Sequence, residues 1–114
     1  MKSRVMGYRE VATDLKADVN SIIWDWSIPV TEVEFKTLYN LVHYLDTFLL
    51  RCLDGDGNLT NKLWIQKKLM ICVVFLGASK RPELQRVLTK VLRLENLIYN
   101  GGTNGKRDEN SNSK

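Results

Sequence analysis

Apolar residues return every three or four positions through nearly all of the first 99 residues, and only two prolines interrupt them. That period lays side chains along one stripe of an α-helix, whereas a strand would need alternation at every second position. Val11, Leu15, Val19, Ile22 and Trp26 mark a first helix over about Arg9 to Trp26, which Pro29 ends. Thr31-Glu32-Val33-Glu34 has the form of a capping box, so a second helix is expected to start there. Its stripe is Phe35, Leu38, Leu41, Val42, Leu45, Phe48, Leu49 and Cys52, and the turn-forming run Asp54-Gly55-Asp56-Gly57-Asn58 closes it.

A third helix is expected over about Asn61 to Leu76, stopped at Gly77. From Leu69 onward it is apolar on every side, which requires other elements around it. Ser79 and Pro82 open a fourth helix reaching about Tyr99, with Leu84, Val87, Leu88, Val91, Leu92 and Ile98 as the buried stripe. From Asn100 the chain is Gly, Asn, Ser and charge, too poor in apolar surface to offset the entropy of ordering. The expected organisation is one all-α domain over residues 1–99, a small four-helix bundle, followed by a disordered polar tail over 100–114. Three short neighbours cover an all-round apolar helix incompletely, so a homodimer is expected with helix 3 or its flanks near the symmetry axis.

The longest unbroken apolar run, Leu69 to Leu76, is far shorter than the roughly 20 residues that cross a bilayer, so no membrane span is expected. Met1 to Arg9 is charged and has no apolar core of a secretory signal, which points to an intracellular protein, cytoplasmic or nuclear. Cys52 and Cys72 lie in apolar stretches and are read as buried, reduced thiols.

Catalytic chemistry finds few candidates. The single histidine, His43, lies four residues after Tyr39 and three before Asp46, where a helix-surface hydrogen bond explains it as well as proton transfer does. The Asp54 to Asn58 run begins like a calcium loop, but Leu59 stands where the sharp turn wants glycine and Ile65 where a glutamate should close the shell. No metal site, no cofactor and no enzymatic activity are expected.

Charge is more informative. Residues 1–60 hold six Lys or Arg and nine Asp or Glu, a net −3, whereas residues 61–99 hold eight and two, a net +6. Arg86, Lys90 and Arg93 share one face of helix 4, with Lys80 and Arg81 at its entrance and Lys67 and Lys68 on helix 3. A cationic surface of this kind engages a nucleic-acid backbone through counterion release, or an acidic protein surface through charge complementarity. The leading expectation is therefore a non-enzymatic nucleic-acid-binding module. The alternative is a protein adaptor or inhibitor, of the kind that viral, phage and mobile-element accessory factors supply. Its interface would use Trp24, which projects away from the helix 1 stripe although Ile28-Pro29-Val30 is expected to fold back and cover it, and Leu97 on the basic side of helix 4.

Overall fold

The computed structural model describes residues 7–55 and 59–101, and these form four helices: α1 (Tyr8–Ile23), α2 (Glu32–Gly55), α3 (Leu59–Gly77) and α4 (Pro82–Gly101). No strand occurs among the described residues. The helices form a ring in which α1 and α3 each pack on both α2 and α4. The expected all-α bundle is the fold found. The expected tail begins two residues inside α4, which runs through Gly101; the rest of it lies outside the described residues, as do Asp56, Gly57 and Asn58 of the expected calcium-like turn.

Each start signal has a local cause. The Gly7 N–H donates to Glu10 Oε1 at 3.0 Å and fixes the entry to α1. At α2 the capping box is complete: Thr31 N donates to Glu34 Oε1 at 2.7 Å, and Glu34 N donates to Thr31 Oγ1 at 3.1 Å. The Glu34 carboxylate also reaches across the bundle end, accepting from Ser79 Oγ at 2.7 Å and pairing with Arg81 Nε at 2.8 Å. One side chain thus ties the start of α2 to the α3–α4 connection.

Burial opposes the Glu34 charge, but the bonds from Thr31, Arg81 and Ser79 outweigh it and hold the carboxyl at about 2, below its ordinary 4.5. A depressed carboxyl stabilises the fold fully above about pH 4.5 and loses that effect as pH falls toward about 2. Glu34→Gln should therefore lower stability by about 1–2 kcal/mol at neutral pH. In denaturant titrations over a pH series, the difference from the native chain should shrink through that acidic window.

One contiguous core unites the four helices, built on Val11, Leu15 and Val19 of α1, Leu38, Leu41, Leu45, Phe48 and Cys52 of α2, Ile65, Leu69, Cys72 and Leu76 of α3, and Leu84, Val87, Val91, Leu94 and Ile98 of α4. Three assignments of the periodic reading change. On α2, Phe35 is 41% exposed instead of buried with the stripe, because it sits on the first turn, where it stacks on Tyr39. On α4, Leu94 is fully buried whereas Leu92 is 47% exposed, because the seam follows the three-four spacing of 84, 87, 91, 94 and 98. On α1, the helix ends at Ile23, well before Pro29, and Trp26 leaves the stripe. The physical reason is Asp25, whose Oδ1 accepts from both Ser27 N at 3.0 Å and Ser27 Oγ at 2.6 Å, a local turn that competes with helical continuation.

Cys52 and Cys72 are both buried thiols, and burial pushes the Cys72 thiol up to about 11. Asn61, which the periodicity did not single out, is buried at the start of α3, where its Nδ2 donates to the Phe48 carbonyl at 3.2 Å. That bond uses a backbone acceptor inside α2 and so fixes the height of α3 against it.

Candidate interaction surfaces

Three of the seven expected cations, Lys68, Arg81 and Lys90, are engaged by side chains of the chain itself. Arg86, Lys90 and Arg93 do share a face of α4, and that face is turned toward α1, since Lys90 Nζ pairs with Asp18 and lies 3.5 Å from Asp14 Oδ2. Arg81 is held by Glu34, and the Lys68 ammonium sits over the Tyr44 ring, 5.5 Å from its centroid, on the α2 side of α3. Lys67, Lys80, Arg86 and Arg93 are exposed, and none of them makes an ion pair among the described residues. Lys67, one position before Lys68, is exposed on α3. The sequence excess of positive charge is thus divided, and two acidic side chains of α1 stand beside the part on α4. Leu97, a full heptad beyond Lys90, packs half-buried against the core.

Uncovered apolar side chains are the more prominent feature. Trp24 caps α1 and is 69% exposed; Trp26 follows in the connection at 86%. Ile28-Pro29-Val30 turns inward, with Val30 against the core, but does not cover Trp24 as the sequence suggested. The tryptophans nevertheless stand on an ordered turn. Trp24 N donates to Asn20 O, Asp25 N to Ile22 O and Ile28 N to Asp25 O, all within 3.2 Å, and Asp25 clamps Ser27 from within. The Ser27 bonds also hold the Asp25 carboxyl below its usual value. On the first turns of α2, Phe35 and Tyr39 are exposed and stacked, with ring centroids 6.3 Å apart and planes 19° from parallel.

A second uncovered surface is the outer side of α3. Met70, Ile71, Val74 and Phe75 are all at least 49% exposed, while Leu69, Cys72 and Leu76 of the same turns face the core. A ring of four helices gives α3 two packed neighbours, so the elements of one chain cover this segment only in part, and its outer side meets water. Where α3 meets α2, Ile71, Cys72 and Phe75 line a groove of about 290 Å³ together with Val33, Lys36 and Asn40. Its floor includes the buried Cys72 thiol.

Position rather than residue type identifies both surfaces. The tryptophans become visible only once the Asp25 turn ends α1, and the α3 face only once the ring order of the helices is known. His43 is exposed, with its ring centroid 6.4 Å from that of Tyr44. Among the described residues, no three His, Cys, Asp or Glu side chains gather as metal ligands, and no helix is long and apolar enough to cross a membrane. The chain matches no known protein family, no curated protein and no solved structure.

Proposed function

We propose that this chain is a non-enzymatic protein-interaction module that docks a partner protein on Trp24 and Trp26 and self-associates through α3. The observation that carries the reading is the pair of tryptophans held in water on a hydrogen-bonded turn. The backbone of the turn is already fixed, and a tryptophan has only two side-chain torsions to lose, so most of the burial gained when a partner covers the rings is available as affinity. Phe35 and Tyr39, exposed and stacked on the first turns of α2, offer further aromatic surface. The partner that fits is a protein with an apolar pocket or groove that accepts an indole ring. An adaptor or inhibitor acting inside the cell is the form of activity this suggests.

The test compares the native chain, Trp24→Ala/Trp26→Ala and Tyr99→Ser as bait, each followed by titration with the purified captured protein. A protein held by the native chain and by Tyr99→Ser, and released by the tryptophan variant, supports the reading. Undiminished affinity of the tryptophan variant for every purified candidate contradicts it.

Nucleic-acid binding is the second reading, favoured by Arg86 and Arg93, which are exposed one heptad apart with no ion pair among the described residues. Two exposed arginines on one helix face are a phosphate-contacting arrangement, to which Lys80 adds at the helix entrance. Binding of duplex DNA and RNA over a salt series separates the readings. Affinity that falls steeply with salt and is lost in Arg86→Glu/Arg93→Glu selects nucleic acid; no retention at low salt removes it.

A further inference from the structure

We infer that the outer face of α3 is the seam of a two-fold homodimer, in which α3 packs antiparallel against α3 of a second copy. The inference names the surface and register of the self-association proposed above, and it is independent of the tryptophan surface.

The size of the face is the first argument. From their fractional exposures, Met70, Ile71, Val74, Phe75 and Val33 leave on the order of 600 Å² of mostly apolar surface in water. That stands at the upper end of the largest apolar patches on ordinary monomers, and it is most of the roughly 800 Å² that each partner contributes to a standard stable interface.

The second argument is charge. Along α3 from Leu63 to Phe75 the only charged side chains are Lys67 and Lys68, and Lys68 is turned onto Tyr44 of α2. The α3 side of the face thus carries one outward cation, and Lys36, which lines the adjoining groove, is paired with Glu32, so a second copy must above all keep its own Lys67 away. Antiparallel packing centred between Met70 and Phe75 does this. At 1.5 Å per residue the two Lys67 positions then lie roughly 16 Å apart along the seam, beyond the Debye length at physiological salt. Each lysine falls at the rim, opposite the end of the partner helix, where its ammonium stays in water. A parallel seam would set the two cations side by side.

The groove between α2 and α3 supplies the third. Lined by Val33, Ile71 and Phe75, it has room for an apolar side chain from the facing helix, and two-fold symmetry fills both copies at once.

Sedimentation velocity on the full chain across about 1–100 μM tests the proposal, alongside Met70→Glu/Val74→Glu and Trp24→Ala/Trp26→Ala. Both sites of the glutamate variant are 60% or more exposed, so its circular dichroism should match that of the native chain. The expected result is a native chain that moves from monomer to dimer mass, a tryptophan variant that does the same, and a glutamate variant that stays monomeric. A native chain that remains monomeric at the highest concentration overturns the dimer and leaves the tryptophan reading standing. Dimerisation that survives in the glutamate variant overturns this seam while self-association stands. Dimerisation lost only in the tryptophan variant places the contact at the bundle end and overturns the seam as well.

Discussion

Leu94→Ala should lower the unfolding free energy by about 2–5 kcal/mol, whereas Leu92→Ala should cost less than about 1 kcal/mol. The two leucines are two residues apart on one helix, yet Leu94 is fully buried and Leu92 is 47% exposed. Truncating Leu94 removes three heavy atoms from a site enclosed by neighbouring helices and leaves a cavity that the bundle closes only in part. Truncating Leu92 leaves water where water already reaches. A loss of about 3 kcal/mol corresponds to a thermal midpoint roughly 10–20 °C lower in a domain of this size. Thermal melts at micromolar concentration measure both variants; equal effects would mean that the α4 seam is turned from the one described.

Removing both tryptophans should weaken partner binding by about 2–4 kcal/mol, roughly 30-fold to 1,000-fold, while fold stability changes little. The separation of the two effects follows from exposure. Trp24 and Trp26 contribute little burial to the free chain, so their loss costs the monomer little and costs the complex the area that the partner covers. The weakening should appear mainly in the dissociation rate, since neither indole steers the encounter electrostatically. Salt should have a small effect. Contacts through Arg86 and Arg93 would instead lose affinity steeply as salt rises, so titrations at two ionic strengths discriminate between the surfaces.

Much of the fold was legible because helical period and capping are local. Thr31 and Glu34 sit three residues apart and satisfy each other's backbone, so the α2 start could be read without knowing what packs on it. The α4 seam was legible only in part. After Val91 both Leu92 and Leu94 are apolar, and only a strict heptad continuation selects Leu94, since Leu92 lies about 100° around the helix from Val91. The early end of α1 depends on Asp25 bonding to Ser27, a competition between side chain and backbone that an apolar count does not register. That single turn moved Trp26 from the expected core into solvent.

The cationic surface was the least legible feature, because charge pairing is a tertiary property. Lys90 meets Asp14 and Asp18 from positions more than 70 residues away, and Arg81 meets Glu34 across 47. Counting charges along the chain locates the cations but not the carboxylates that end up beside them. The uncovered side of α3 was legible in its composition, since a helix apolar on every side exceeds what two neighbours can bury. Which side stayed open required the ring order of the four helices.

The account rests on indole rings that stand in water beside a filled core. Trp64→Phe leaves Trp24 and Trp26 as the only tryptophans, so the fluorescence of that folded variant reports on them alone. Emission at the wavelength of free tryptophan in water, with acrylamide quenching close to that of the free amino acid, is the predicted result. Emission shifted to the blue and protected from the quencher, with the helical circular dichroism intact, would contradict it.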